Sequence, residues 1–185
     1  MTLTTVIILN GISSVGKSSA ARELQKITQA PFLHVRGDSF LEMLPPQMYG
    51  HEDGITLNRL DESTDSAIEI HMGSVVKRLL VGFRCSVATL ATQGNNLIVD
   101  DVMLDATDQN VYEKILHPFA VYFVGLHAPL ATLEQRERNR KNRLAGLAKW
   151  QQKRVHEGIK YDMELQTAKT DAADIAKKIA DAFKI

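Results

Sequence analysis

The 185-residue chain has one cysteine, no excess of either charge and no long apolar run. Because Cys85 has no partner within the chain, no internal disulfide can form, which is typical of proteins from a reducing compartment. Lys plus Arg and Asp plus Glu each number 22, so no net charge attracts the protein to nucleic acid or an anionic membrane. No apolar stretch approaches the roughly 20 residues that cross a bilayer, and no signal peptide precedes the first apolar run. We therefore expect a cytoplasmic protein that binds neither nucleic acid nor membrane.

The composition is that of a folded globular chain. Hydrophobic residues make up 44% and charged residues 24%, which excludes a disordered or fibrous protein. A chain of this length buries roughly 70% of the surface that its unfolded form exposes, so it needs no disulfide or metal in order to fold. We expect a single domain over residues 1–185.

Short apolar runs alternate with longer amphipathic segments, the pattern of an α/β fold with a mainly parallel sheet. Three runs are almost continuously apolar, as expected for strands covered by helices on both faces. Cys85 lies in the longest predicted helix, where we expect a small core residue. The predicted strands are Thr5–Asn10, Phe32–Arg36, Leu97–Val102, Ala120–Leu126 and Met163–Thr167. The predicted helices are Lys17–Gln29, Asp65–Thr92, Thr107–Leu116, Leu130–Asn142 and Asp171–Phe183.

The segment Pro45–Ser63 does not follow this alternation. It contains two prolines and two glycines, shows no sustained period, and is long for a connection within a compact domain. Segments of this kind are often lids or binding loops. The alternative is an ordinary surface excursion with a hairpin around Asp53 and Gly54.

A phosphate-binding loop is indicated between the first strand and the first helix. Residues 11–18 read Gly-x-x-x-x-Gly-Lys-Ser, which in this strand-to-helix context is the P-loop motif rather than a chance glycine-rich turn. The glycines allow the backbone to approach a phosphate, and its amides and the helix N-terminus then face the anion. Lys17 supplies a cation near the β- and γ-phosphates, and the Ser18 hydroxyl can bind Mg²⁺. We predict that ATP and Mg²⁺ bind here. The predicted nucleotide-binding residues of the loop are Gly11, Ser13, Ser14, Val15, Gly16, Lys17, Ser18 and Ser19.

Two carboxylates, Asp100 and Asp101, end the third predicted strand. An aspartate in this place beside a P-loop can hold Mg²⁺ directly or through water. Because neighbouring strand residues point to opposite faces, only one of the two is expected to face the metal, and the sequence does not say which. The alternative is that the pair forms a turn or caps a helix.

Asp38 follows the second predicted strand, at the sheet edge where open α/β folds bind ligands. A carboxylate there could act as general base, taking the proton of an acceptor hydroxyl as the phosphoryl group arrives. The alternative is that Asp38 and Ser39 cap a short helix over Phe40–Leu44.

Three arginines, Arg136, Arg140 and Arg143, lie at i, i+4 and i+7 and so share one face of a helix. Without other information, a solvated and salt-bridged helix would be the simplest interpretation. Since the chain also carries a P-loop, we favour a lid helix. Its arginines would contact the nucleotide and neutralise the migrating phosphoryl group.

Taken together, these motifs resemble those of the chloramphenicol phosphotransferase-like proteins, which are small P-loop kinases related to nucleotide and shikimate kinases. The resemblance runs nearly end to end. It rests on residues 8–11 with Ser13 and Ser14, residues 37–39, residues 98–102, the three arginines before Ala145 and Gly146, and residues 155–158 with Tyr161 and Asp162. The last of these motifs is absent from generic P-loop kinases.

The resemblance implies a five-stranded parallel sheet with a helical, arginine-bearing lid over approximately residues 130–154. It also implies ATP-dependent phosphorylation of a primary hydroxyl group on chloramphenicol. By position, Asp38 would be the base, Lys17 and Ser18 would bind phosphate and Mg²⁺, and Arg140 and Arg143 would be lid cations.

The segment 46–63 departs from the family prototype, so the small-molecule acceptor stays open. One alternative is a kinase of another acceptor such as a sugar nucleotide, as in the zeta-type toxins. A further alternative is an ATP-binding module without catalytic activity.

Overall fold

The computed structural model describes residues 4–59, 68–139 and 146–185. Its strands in chain order are β1 (Thr5–Asn10), β2 (Phe32–Arg36), β3 (Ile55–Arg59), β4 (Ile68–Met72), β5 (Asn96–Asp101), β6 (Ala120–His127) and β7 (Met163–Gln166). Its helices are α1 (Lys17–Ile27), α2 (Gly37–Leu41), α3 (Ser74–Thr92), α4 (Ala106–Ile115), α5 (Leu130–Arg138), α6 (Leu147–Gln152) and α7 (Ala172–Phe183), with a 3₁₀ turn at Pro46–Met48.

A five-stranded parallel sheet in the order β2-β5-β1-β6-β7 confirms the predicted fold class. Side chains of the central strand β1 alternate between two apolar clusters. Ile7 and Leu9 pack with residues of α1 and α7 on one face, and Val6 and Ile8 pack with residues of α3 and α4 on the other. Burial on both faces explains why the sequence of this strand reads as a continuous apolar run. The arrangement also brings the carboxyl ends of β1, β2, β5 and β6 to one edge of the sheet.

The helix predicted over Asp65–Thr92 is wrong in its first part. Residues 68–72 form β4, which pairs antiparallel with β3, and α3 begins only at Ser74. Residues 65–67 lie outside the described residues. Gly73 lies between β4 and α3. A larger residue would not fit at this position, because a Cβ atom there would lie 2.1 Å from the Glu52 carbonyl oxygen. Cys85 is exposed on α3, so the expectation of a core cysteine is also wrong.

The segment predicted to be irregular over Pro45–Ser63 contains regular structure in its described part. The 3₁₀ turn at Pro46–Met48 and strand β3 both fall within it. The alternative of a hairpin around Asp53 and Gly54 is wrong, since β3 pairs antiparallel with β4 after it, and the bridge between Tyr49 and Ile55 is parallel. The antiparallel partner of β3 is β4, the next strand in the chain.

The helix predicted over Leu130–Asn142 begins at the expected residue but is shorter, and a second helix follows beyond the predicted range. Helix α5 ends at Arg138, and α6 follows from Leu147. The buried carboxylate of Glu137 accepts hydrogen bonds from the backbone amides of Gly146 (3.0 Å) and Ala148 (3.1 Å), so α5 supplies the N-terminal cap that α6 lacks. None of the described helices is long and apolar enough to cross a membrane.

Candidate active site

The loop between β1 and α1 has the backbone conformation of a phosphate-binding loop. Gly11 has φ 158° and Gly16 has φ 109°, values that disfavour other residues. A Cβ atom at Gly11 would also lie only 2.5 Å from the Leu126 carbonyl oxygen on β6. The motif glycines are therefore required by the shape of the loop and by its contact with the sheet. Ser14 also has a positive φ of 66°, and the buried hydroxyls of Ser13 and Ser14 have no hydrogen-bond partner among the described residues.

Lys17 begins α1, and its ammonium group lies along the inner side of the loop. Nζ donates to the Gly11 carbonyl oxygen at 2.7 Å and lies 3.9 Å from Oδ1 of Asp100. The side chain is buried although it is charged, which is uncommon unless partners compensate for the lost hydration. The loop thus holds a cation where an anionic ligand would bind.

Asp100 is the carboxylate that faces the P-loop. Its Oδ2 accepts a hydrogen bond from the Ser18 hydroxyl at 2.5 Å and lies 3.6 Å from Nε2 of His34. Burial alone would raise the pKa of Asp100, but the neighbouring His34 and Ser18 side chains and the charge of Lys17 outweigh burial and hold the pKa below its ordinary value. Asp100 is therefore a charged carboxylate at neutral pH, next to a hydroxyl and an ammonium group.

Asp101 points to the opposite face of β5, as strand alternation requires. Its carboxylate accepts from the Val102 amide (2.7 Å) and from the Tyr112 hydroxyl (2.8 Å), and it lies 3.9 Å from Nε of Arg84. Burial raises the pKa of Asp101, and the opposing influence of Arg84 is smaller. Arg84 also forms an ion pair with Asp108 at 2.7 Å. Asp101 thus belongs to a buried network that joins β5 to α3 and α4.

Asp38 lies in the first turn of α2, immediately after β2. The helix begins at Gly37 after Arg36, and no side chain forms an N-terminal cap, so the alternative in which Asp38 and Ser39 cap a helix from Phe40 is not the observed structure. The Asp38 carboxylate is partly exposed and lies 3.9 Å from Nη2 of Arg36. Arg36 is in register with Asp100 on the neighbouring strand, which places the start of α2 at the same sheet edge as the P-loop.

Arg136 on α5 contacts the outer side of the P-loop. Its guanidinium donates to the carbonyl oxygens of Val15 (3.2 Å) and Thr167 (2.8 Å), and the Thr167 hydroxyl also donates to Val15 at 2.7 Å. These bonds fasten α5 and the end of β7 to the loop. A cavity of about 370 Å³ opens beside them. Its lining includes Ser14, Gly16, Ser19, Arg136, Asn139 and Thr167.

Two further side chains near the loop were not predicted from the sequence. Gln151 on α6 accepts a hydrogen bond from the Ser13 amide at 2.6 Å, and His34 on β2 lies beside Asp100. Neither belongs to a recognisable spacing pattern, so only the folded arrangement reveals them. Of the predicted residues, the structure brings together Lys17, Ser18 and Asp100, whereas Arg140 and Arg143 lie outside the described residues.

Among the described residues, no group of three or more His, Cys, Asp and Glu side chains could hold a metal ion. The oxygen pair of Ser18 and Asp100 nevertheless fits Mg²⁺, which in nucleotide sites is bound by one or two protein oxygens together with phosphate oxygens. The chemistry of the donors thus agrees with a metal that arrives with a nucleotide.

A P-loop at the end of the central strand of a parallel sheet, with a strand-end aspartate on the P-loop serine, defines a nucleotide-binding phosphotransferase of the P-loop kinase class. The model of the family described as "Chloramphenicol phosphotransferase-like protein" matches residues 4–184. The chain belongs to this family.

Two curated relatives are "Putative O-phosphotransferase MT2714" and "Putative O-phosphotransferase Rv2636", from two strains of Mycobacterium tuberculosis. Each is 25% identical to the chain over 187 residues, covering 97% of the chain and 82% of the relative.

Solved structures share the fold at lower identity. The Mycobacterium tuberculosis APS kinase CysC in complex with AMPPNP and APS has a TM-score of 0.69 at 14% identity and covers all of both chains. The Deinococcus radiodurans tunicamycin resistance protein has a TM-score of 0.64 at 15% identity, covering 98% of this chain and 96% of the other. A gluconokinase from Sinorhizobium meliloti has a TM-score of 0.59 at 13% identity, covering 98% and 95%. At these identities the likeness shows the fold alone.

Proposed function

We propose that the protein transfers the γ-phosphoryl group of ATP to a hydroxyl group of a small molecule, with Asp38 as the general base. The observation that carries the proposal is the group formed by Lys17, Ser18 and Asp100 at the P-loop. Asp100 is in register with Arg36, the last residue of the strand that precedes Asp38. An ammonium group and a hydroxyl group at one place can bind phosphate and its metal ion. A carboxylate at the same sheet edge can accept the proton of an acceptor hydroxyl.

The nucleotide would bind with its phosphates in the P-loop and its base in the neighbouring cavity. The loop amides and the N-terminus of α1 supply donors for phosphate oxygens, and Lys17 supplies positive charge. The cavity of about 370 Å³ beside Arg136 and Thr167 falls within the usual range for small-ligand sites and touches the same loop. This supports the sequence-based prediction that Arg136 helps to bind the nucleotide, in part by holding the loop in shape.

Ser18 and Asp100 would hold Mg²⁺, and we assign no metal role to Asp101, because its carboxylate is bonded to Tyr112 and Val102 on the other face of β5. When bound, the ion neutralises charge on the β- and γ-phosphate oxygens. Asp100 is suited to this role because its lowered pKa keeps it ionised at neutral pH.

In the transfer itself, the acceptor hydroxyl oxygen forms a bond to the γ-phosphorus while the bond from that phosphorus to the β,γ-bridging oxygen breaks. Asp38 takes the hydroxyl proton, and ADP leaves. Lys17 stabilises the charge on the phosphates. We retain Arg140 and Arg143 as predicted lid cations that exclude water and add positive charge, with residues 130–154 as the predicted lid.

Chloramphenicol is the first acceptor to test, because the family takes its name from that activity. A sugar nucleotide is the principal alternative acceptor. β3 and the 3₁₀ turn at Pro46–Met48 belong to the segment that departs from the family prototype. That segment is therefore the place where a different acceptor would be accommodated.

The experiment is acceptor-dependent release of ADP from ATP and Mg²⁺, with chloramphenicol, aminoglycosides, nucleosides and sugar nucleotides as acceptors and mass spectrometry of the products. We expect Asp38→Asn to bind ATP normally and to lose about 10²- to 10⁴-fold in transfer, the usual contribution of a positioned base. Asp181→Asn, an exposed change of the same chemistry on α7, serves as the control.

Each outcome of this experiment has a distinct meaning. Phosphorylated chloramphenicol would identify the acceptor, and a product from another compound would keep the reaction and change the acceptor. Unchanged transfer by Asp38→Asn would remove Asp38 from the chemistry. Binding of ATP without ADP release for any acceptor in the panel would favour an ATP-binding module without catalytic activity.

A further inference from the structure

Asn10, the last residue of β1, has an amide orientation that is fixed by the backbone. Its fully buried Oδ1 accepts a hydrogen bond from the Met103 amide at 2.8 Å. Because a backbone N–H can only donate, Oδ1 must be the atom on that side, and Nδ2 must face the other way. Nδ2 lies 2.7 Å from the hydroxyl oxygen of Tyr161 and donates to it.

The direction of the next hydrogen bond is inferred from the acceptors within reach. The Tyr161 oxygen accepts from Asn10, and among the described residues Nδ1 of His156, 2.6 Å away, is the acceptor within reach of the Tyr161 hydrogen, so we assign the proton of this contact to Tyr161. In the described part of the chain, Asn10 and His156 are the two hydrogen-bond neighbours of this hydroxyl. Burial raises the pKa of Tyr161 to about 12, so the phenol keeps its proton at neutral pH. The Tyr161 ring is held against β6, where a Cβ atom at Gly125 would lie 2.9 Å from two ring carbons.

This chain of hydrogen bonds defines the tautomer of His156. Since Nδ1 accepts from Tyr161, the proton of the neutral ring must be on Nε2. Burial, together with the charges of His127 and Lys17, lowers the pKa of His156 to about 4, so the ring is neutral at physiological pH. The ring is also fixed mechanically, because it stacks on His127 at a centroid distance of 4.1 Å and its backbone has φ 87°, which is uncommon for histidine.

His156 lies close to the P-loop. The α6 side chain of Gln151 is bonded to the Ser13 amide, and the chain then runs from Gln151 to His156, which connects through Tyr161 to Asn10, the residue before Gly11. Among the described residues, the rings of Tyr161 and His127 contact the imidazole, and His127 in turn pairs with Glu164 at 2.8 Å. The imidazole is linked through Tyr161 and Asn10 to the start of the P-loop, where the Gly11 carbonyl oxygen accepts from the Lys17 ammonium group, and the charge of Lys17 acts on the pKa of His156.

We propose that His156 donates a hydrogen bond from Nε2 to the nucleotide phosphates at the Lys17 end of the P-loop, and that Asn10 and Tyr161 act as positioning residues that fix this tautomer. The identity of the ligand rests on the proposed function. The opposite tautomer would present a lone pair to phosphate oxygens and repel them. A charged imidazolium beside Lys17 would be disfavoured by charge repulsion, whereas a neutral N–H donates without adding charge.

The first test measures the tautomer directly, without reference to activity. Imidazole ¹⁵N–¹H correlation spectra of the wild type at pH 7 should show His156 protonated at Nε2 and bare at Nδ1, with the signal assigned by its loss in His156→Gln. In Tyr161→Phe the tautomer should become mixed and the pKa of His156 should move toward its ordinary value. Tyr122→Phe, at a tyrosine that stacks on Phe183, is the matched control and should change neither. Protonation of wild-type His156 at Nδ1 would overturn the proposal, even if Tyr161→Phe does not fold.

The second test adds a non-hydrolysable ATP analogue with Mg²⁺ and follows its binding by calorimetry. The His156 Nε2–H signals should shift, whereas those of the exposed His117 should not. His156→Ala should weaken analogue binding about 10-fold, the usual effect of one hydrogen bond to a charged group, and His156→Gln should recover most of the loss because its amide can also donate. Normal analogue binding with an unmoved His156 signal would overturn this inference and leave the proposed function standing. No analogue binding by the wild type would instead contradict the proposed function itself.

Discussion

Asp100 and Asp101 are neighbours on one strand, and both are buried, with exposures of 8% and 6%, yet their pKa values are displaced in opposite directions. On the P-loop face, the His34 side chain, the Lys17 ammonium group and the Ser18 hydroxyl together overcome the effect of burial and keep Asp100 ionised. On the other face, burial raises the pKa of Asp101 more than the charge of Arg84 lowers it. The difference shows that the depth of burial alone does not decide whether the pKa of a carboxylate is raised or lowered. The P-loop face holds charges that a ligand can use, whereas the opposite face uses its charges to join secondary-structure elements.

Within this comparison of the two faces, the largest expected effect comes from removing the cation on the P-loop face. Lys17→Ala should lower acceptor-dependent ADP release by about 10²- to 10³-fold, comparable to the loss of one donor that stabilises transition-state charge. Lys26→Ala is the control, because Lys26 is an exposed lysine on the same helix that pairs with Glu23. Full activity of a folded Lys17→Ala protein would contradict the proposed role of this face.

Exchanging each aspartate for asparagine tests the comparison itself. Asp100→Asn should lose Mg²⁺-dependent nucleotide binding and, at pH 7, also the stability that its ionised carboxylate contributes. Asp101→Asn should keep nucleotide binding but lose about 1–3 kcal/mol of unfolding free energy, since it disturbs a buried hydrogen-bonded network. A chain of this size melts roughly 2–4 °C lower for each kcal/mol lost. Thermal melts and nucleotide titrations with and without Mg²⁺ measure both quantities, and equal effects of the two variants would remove the distinction.

The smallest expected effect is on the acid dependence of stability. The pKa of His156 is about 4 in the folded protein and lies below its ordinary value of 6.5, so the unfolded chain takes up a proton first as the pH falls. Stability should therefore decline between about pH 6.5 and pH 4, and His156→Gln should flatten that decline. The contribution of Asp100 is lost at lower pH, below its ordinary value of 3.8, because its folded pKa is lowered. Urea unfolding at a series of pH values separates the two ranges. An unchanged slope in His156→Gln would argue against a neutral, buried ring.

The fold could be predicted where local pattern and tertiary structure agree. Strands β1 and β2 were predicted with their observed bounds. A continuous apolar run marks β1, and β2 is a short run between Pro31 and Gly37. The error at Ile68–Met72 arose because apolar residues at positions 68 and 72 fit both the helical period and strand alternation. The alternation of Ile68, Ile70 and Met72 with polar residues is visible in the sequence. The hydrogen-bonded pairing that favours a strand here is made with β3, however, and the close contact at Gly73, where the strand has ended, is made with Glu52.

The site could be predicted to the extent that it is local in sequence. The P-loop motif gave Lys17 and Ser18, and strand alternation gave one carboxylate for each face. Whether Asp100 or Asp101 faces Ser18 depends on the register of β5 against β1. This register is set by the assembled sheet and is not encoded in the local sequence. The contacts of Gln151 with Ser13 and of Arg136 with Val15 join distant parts of the chain, and no spacing pattern encodes them.

Gly125 lies within β6, a position at which glycine is usually unfavourable. A glycine within a strand usually weakens it, since it offers no side chain for packing. Here the missing side chain is replaced by the ring of Tyr161, which occupies the space a Cβ atom would need. Positions 125 and 161 therefore form one packing unit although they are far apart in the chain. A larger residue at the first would displace the aromatic ring at the second, and with it the hydrogen-bonded path that leads from β1 to His156.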